Sequence, residues 1–365
     1  MTRFSLFALV ATMLVAGAHS SYAAQYAVGT CKSTLPSYST ISAAVAAVPP
    51  GSTVLVCPGT YPEQVVINQP LTLQGIISGN SGRAIITVPG SANGAPSLQV
   101  NSQSGVFGAP VAAQVLVQNV TGNVNISDIT VDGTGGQQPC SPGPVLYGIF
   151  YSQSSGTVNH VTTRFQQSGG CGVGIAVENA IVNVIVSVTN NAVHDADFGI
   201  ISFDRALPGA LLAHIDGNYI TNMTGKGIWI IDNAGTAYRD TVTRAFHGID
   251  VRSGLASVTS STLADIDPAN GSAIILNSGA TASGNRISGS LIGINLFSGS
   301  SATNVAQSNM IMNTTKAFEF QCNAAKVVSN TINDTSLAFD QLAPTDVLFL
   351  NNLSNSLFIS VPCGS

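Results

Sequence analysis

Charge is scarce in this chain. Asp, Glu, Lys and Arg make up 8% of its 365 residues, and the net charge is −5. Without a basic face, a nucleic-acid partner is excluded. Runs rich in Glu, Lys, Ala and Leu, which a helical protein would need, are missing outside Ile41 to Val48. There is no C-x-x-C, so the common zinc and redox motifs are excluded too. Asn-Gly and Asp-Gly turns are few, which argues against a sandwich of antiparallel hairpins. The fixed L-x-x-L-x-L frame of leucine-rich repeats is absent, and propeller blades would be longer than any period seen here. What fills the chain instead is 45% apolar residues, 37 glycines, and many Asn, Ser and Thr.

The N-terminus reads as a processing segment. Arg3 precedes the apolar run Phe4 to Val15, and "HSSYAAQ" follows with small residues. The run is too short to span a bilayer and suits a secretory signal peptide over residues 1–23, cut after Ala23. The mature chain, 24–365, is then one exported domain of bacterial style, secreted or periplasmic, with no membrane span and expected as a monomer. Its six cysteines, Cys31, Cys57, Cys140, Cys171, Cys322 and Cys363, imply disulfides in that compartment.

A mark recurs along the chain: a small residue, usually Gly, then an apolar one, then an alternating strand. The apolar residues are Ile149, Ile175, Ile200, Ile228, Ile249, Ile274, Ile294, Phe318, Phe339 and Phe358. Their spacings are 26, 25, 28, 21, 25, 20, 24, 21 and 19. A period in the twenties is the signature of a solenoid. A second series, Val193, Ile220, Val242, Ile287, Ile311 and Ile332, precedes the first by 7 or 8 residues. The pattern predicts an all-β parallel β-helix, each coil stacked about 4.8 Å above the last, with polar corner ladders satisfying the backbone. Residues 24–75 are its cap and first coil, and 76–365 its stacked coils.

The cap lies in "YSTISAAVAAVPPGSTVLVCPGTYPEQVVINQPLTLQG". Ile41 to Val48 predicts a short helix stopped by Pro49-Pro50-Gly51, and a Pro-Gly turn joins the strands behind it. Ile-x-x-Ala-Val, Pro-Pro-Gly-Ser, Gly59-x-Tyr61-x-Glu63 and Leu73-x-Gly75 resemble the first coil of pectinesterases and related members of the pectin lyase-like superfamily. "NVNISDITVDGTG", residues 123–135, resembles a coil of right-handed parallel β-helix repeat proteins. The resemblance implies a right-handed helix and carbohydrate-active relatives. It does not extend to esterase chemistry. The Gln-Asp and Arg-Pro-Trp segments of pectinesterases are missing, and Gly-x-Tyr-x-Glu is expected to shape a turn.

Insertions swell the early coils. Cys140 and Cys171 lie in two neighbouring ones, Cys31 and Cys57 in the cap, and Cys322 and Cys363 in the last coils. Register therefore selects the bridges Cys31–Cys57, Cys140–Cys171 and Cys322–Cys363. One residue after each spine position stand Phe150, Ala176, Ile201, Trp229, Asp250, Ile275, Asn295, Glu319 and Asp340. Tyr147, Phe198, Lys226 and His247 stand two before. Alternation points the first set outward. Tyr147, Phe150 and Trp229 are candidate sugar platforms. Asp204, Arg205, Lys226, Asp232, His247, Asp250 and Arg252 are candidate catalytic groups. Lys226, Arg205 or Arg252 would be the base of a lyase, with Asp204 and Asp232 its possible calcium ligands, and His247 with Asp250 an alternative base and orienting carboxylate; two carboxylates flanking the bond would instead mean a glycoside hydrolase. Asp195 and Asp197 could hold calcium through hard oxygens. The expected function is binding, with or without cleavage, of an acidic polysaccharide by an exported β-helix, in the manner of pectate or uronate lyases. The alternative is a non-catalytic glycan-binding or structural protein.

Overall fold

The computed structural model describes residues 23–77, 82–90, 98–103, 105–136, 143–179, 184–204, 211–231, 234–252, 254–297, 302–320, 325–340 and 347–356. The expected signal peptide, apart from Ala23, lies outside them, as do Arg205, Asp232, Phe358, Cys140, Cys322 and Cys363.

Among the described residues, strands stack into one sheet of 14 and a second of 21, and the ladders between the strands are parallel. The spine forms as the period requires. Ile149 pairs with Ile175, Ile175 with Ile200, and the column runs on through Ile228, Ile249, Ile274, Ile294 and Phe318 to Phe339. From Ile149 to Phe318 these side chains are at most 1% exposed. The column also reaches back to Val115 and Val65. The second series stacks likewise, with Leu263 as a rung between Val242 and Ile287. A third inner column, from Leu73 through Ile126, Val158 and Val188 to Val327, belongs to the 14-stranded sheet. All three meet in one continuous apolar core.

Two corners hold the coils in register. At one, Asn191, Asn218, Asp240, Ser261, Asn285, Asn309, Asn330 and Asn352 stand on successive rungs. Each Asn donates its Nδ2 to a carbonyl of the coil before it, as Asn218 does to Val188 at 2.9 Å and Asn309 to Ala282 at 3.1 Å. Its Oδ1 accepts from the preceding corner residue, as Asn309 does from Asn285 at 2.9 Å. Buried backbone groups at the turn are satisfied this way. At the other corner the residue adopts positive φ. Asp195, Asn222, Asp265, Gly289, Asn313 and Asp334 are ordinary choices for that geometry, whereas Phe165 and Arg244 are bulky exceptions.

The cap forms as expected. The helix spans Ile41–Ala47, and Thr40 accepts from the Ala43 N–H. Glu63 explains its motif: its carboxylate accepts the Ile41 and Ser42 N–H groups, both at 2.8 Å. A negative group at a helix N-terminus is favourable. The Tyr61 hydroxyl donates to the Cys57 carbonyl at 2.8 Å, so the motif is structural. Cys31 and Cys57 form the expected disulfide. Cys171 is disulfide-bonded as well.

Candidate functional site

The glycine in the recurring mark determines which side chains face out. At Gly148 a Cβ would lie 2.6 Å from the Gly174 carbonyl oxygen of the next coil. At Gly248 it would collide with the Ala273 carbonyl and the Leu263 side chain. The glycine pairs drop out of the ladder register. As a result, residues two before and one after the spine share the outer face: Tyr147 and Phe150 belong to an outer apolar cluster, Ile149 and Tyr151 to the core. This brings Lys226 beside Trp229, and His247 beside Asp250.

The outer face has two halves. On the early coils it is covered. Residues 98–103 and 105–110 fold back over it, pinned by Asn101, which exchanges hydrogen bonds with the Ala113 backbone at 2.8 and 2.9 Å. Gln64 ties Gln99 down as well. Beneath lie Leu116, Phe150, Ala176 and Ile201, each 0% exposed. Tyr147 and Phe150 are therefore not sugar platforms. Both are fully buried, and the Tyr147 hydroxyl accepts from the Val106 N–H at 3.2 Å. The cover ends at Phe107, which packs on Phe198 and Trp229 at centroid distances of 5.0 and 6.3 Å.

Beyond Phe107 the face is open and polar. Asp250 is 0% exposed and is held by Lys226 Nζ and by Arg252, whose Nη2 lies 3.2 Å from Oδ2. Lys226 Nζ sits 3.9 Å from the Trp229 ring centroid, and the Arg252 guanidinium carbon 5.2 Å. Phe198 stacks on Trp229 at 5.7 Å. The Trp229 ring is thus engaged by an aromatic and two cations. It positions the cations and does not present a bare platform. Burial pulls the Lys226 ammonium below its ordinary range, and nearby Arg252 adds to this while Asp250 opposes it. Burial also lowers His247, with Lys226 contributing. His247 Nδ1 accepts the Ser272 N–H at 3.1 Å. A backbone N–H can only donate, so the neutral ring carries its proton on Nε2. His247 is a fixed donor, and the expected base role is corrected on that ground.

His247, Asp250 and Arg252 border a cleft of about 360 Å³ that continues over Ser272 and Ile275 to Asn295 and Phe297. It spans three consecutive coils. Of the other expected residues, Asp204 stands beyond the Phe203–Ile231 pair, past the Trp229 column. Asp197 does not fit calcium. Its Oδ2 accepts the Ser168, Gly170 and Gly172 N–H groups at 2.7, 3.0 and 2.8 Å, and its Oδ1 the Thr224 hydroxyl at 2.6 Å. Asp195 is engaged by His194 at 2.7 Å and by Asn222. Three donors saturate the Asp197 Oδ2 and leave it no lone pair for a cation. Among the described residues no group of three or more His, Cys, Asp or Glu could hold a metal, and no helix is long and apolar enough to cross a membrane.

Residues 208–353 match the family described as right handed beta helix region. The chain is a right-handed parallel β-helix. Similar solved β-helices include a PL6 alginate lyase in complex with a trisaccharide, at 10% identity over 94% of this chain and 86% of that one, TM-score 0.58. The periplasmic alginate epimerase AlgG is 11% identical over 84% and 77%, TM-score 0.56. The A-module of the Azotobacter vinelandii mannuronan C-5 epimerase AlgE6 is 14% identical over 86% and 92%, TM-score 0.50. No curated protein matches this β-helix in sequence. The shared fold is the one that the first coil's resemblance to the pectin lyase-like superfamily implied.

Proposed function

We propose that the protein is exported and binds acidic polysaccharide of the uronate class in the cleft beside Arg252. One observation carries this reading: two cations, Lys226 and Arg252, share the single carboxylate of Asp250. With neutral His247, the cluster keeps one net positive charge in a chain of net charge −5. Arg252 uses Nε and Nη2 on Asp250 and has a side chain 48% exposed. Its remaining N–H groups are placed for a sugar carboxylate. His247 Nε2–H and Asn295 add hydrogen bonds for hydroxyls. The named activities of the similar structures, on alginate and mannuronan, support the same class of ligand. Export is supported by the Cys31–Cys57 disulfide and by the periplasmic location of one similar protein, the alginate epimerase AlgG.

Eliminative cleavage is a second reading, favoured by the lowered Lys226. Lys226, having given up its proton, would take the proton alpha to the uronate carboxylate; the C4–O4 bond breaks as the C4–C5 double bond forms, and the leaving oxygen takes a proton from water. Affinity electrophoresis in gels cast with alginate or polygalacturonate tests binding. Retardation lost in Arg252→Ala is expected, and unretarded wild-type protein in both gels would refute the proposal. Growth of the unsaturated-uronate absorbance in the same mixtures, abolished in Lys226→Ala, would establish cleavage.

A further inference from the structure

The cleft is closed at one end. Following the outward column rung by rung, Leu116, Phe150, Ala176 and Ile201 are sealed under residues 98–103 and 105–110. The next rung, Trp229, is half-covered, and Phe107 abuts it. Past Asp250, which is buried beneath Lys226 and Arg252, the column continues part-exposed through Ile275 and Asn295 to Glu319. The cleft follows the stack of coils, since its lining comes from three successive strands. A polymer lying along it meets the Phe107–Phe198–Trp229 wall within one rung, about 5 Å, of the Asp250 carboxylate. A sugar repeat is about as long as one rung. There is no room for a further sugar on the wall side without displacing Phe107.

Resting on the acidic-glycan reading above, we propose that this site recognises the end of a uronate chain. The terminal sugar sits against Trp229 and Arg252, and the chain leaves over Ile275 and Asn295. The wall is built to stay shut. Residues 98–103 and 105–110 are pinned at Asn101 and at Gln99, and Phe107 packs against both rings of the Phe198–Trp229 stack. An opening there would expose the apolar cluster beneath it.

Trp229 is the only tryptophan of the chain, so its fluorescence reports occupancy at the wall. The probes are hexamannuronate, the same hexamer carrying a bulky amide at its reducing end, and the hexamer with a bulky ether at its non-reducing end. Binding of the free hexamer, with affinity lost at least about tenfold for one of the capped forms only, is expected. In Phe107→Ala the excluded form should recover to within about threefold of the free hexamer. Equal binding of all three probes by the wild type would overturn the chain-end proposal while leaving glycan binding intact. No response to any of the three, nor to hexagalacturonate, would overturn the glycan reading and this one with it.

Discussion

Replacing Asp240 by Asn should stabilise this protein, and by an amount that depends on pH. Asp240 holds a corner rung where six others carry Asn and one carries Ser. It is 0% exposed. Its Oδ1 accepts from the Asn218 N–H and Nδ2 at 2.8 and 2.9 Å, as an Asn would. Its Oδ2 has no partner among the described residues. By register, that atom occupies the place from which Asn218 donates to Val188, and the carbonyl there is that of Ile215. An ionised oxygen facing a carbonyl is repelled, whereas a protonated one can donate. Burial, with Asp216 adding, pushes the Asp240 carboxyl up to about 7 from 3.8. A folded value above the unfolded one means that stability is complete below pH 4 and is lost as pH rises toward 7. At 1.36 kcal/mol per unit, the loss is about 2 kcal/mol by pH 5.5 and about 4 kcal/mol by pH 8. Asp240→Asn always has a donor in that position, so it escapes this loss. Urea unfolding of both proteins at pH 4, 5.5 and 8 should show near-equal stability at the first and a gap that widens to several kcal/mol at the last. A gap that does not change with pH, or a variant weaker at pH 8, would refute the reasoning.

Three further outcomes are expected. Asp197→Ala strips four donors of their acceptor and should cost about 3 kcal/mol, with the 168–172 loop becoming the first site cut in limited proteolysis. Gly248→Val forces a side chain into the Ala273 carbonyl and Leu263 and should cost about 3 kcal/mol in thermal unfolding, while weakening glycan retention through His247. Removing the Cys31–Cys57 bridge, which closes a separation of 26 residues, should cost about 3 kcal/mol. Unfolding the unaltered protein under reducing conditions should cost at least as much, because the disulfide at Cys171 is lost too.

The stacked spine could be read in the sequence because apolar residues at a steady period leave a trace that needs no tertiary knowledge. Leu263 escaped the second series because its coil has "STLADIDPANG" in place of the usual polar turn, which lengthens the step to the next Ile. The outward column was also legible, but its exposure was not. Phe150 is sealed by residues 98–103 and 105–110, a stretch that carries no periodicity, while Asp250 is buried by the Lys226 and Arg252 that pair with it. His247 and Asp197 failed as readings for one shared reason: each is claimed by backbone N–H groups of another coil or loop, Ser272 for the first and Ser168, Gly170 and Gly172 for the second. Main-chain donors have no signature in side-chain identity. Lys226, Trp229, Asp250 and Arg252 do come together as their registers suggested, because a one-rung stack converts spacing directly into distance.

The amide corner also makes the molecule modular. Asn285 and Asn309 stand 24 residues apart and bond to each other and to their neighbours through identical contacts. Deleting residues 286–309 would bring Asn285 directly against Asn330, restoring the same pair of bonds across the splice. The cleft would lose the turn that carries Asn295 and Phe297, and the cap and the wall at Trp229 would be untouched. Groove length in this architecture is thus a property that can be edited one turn at a time.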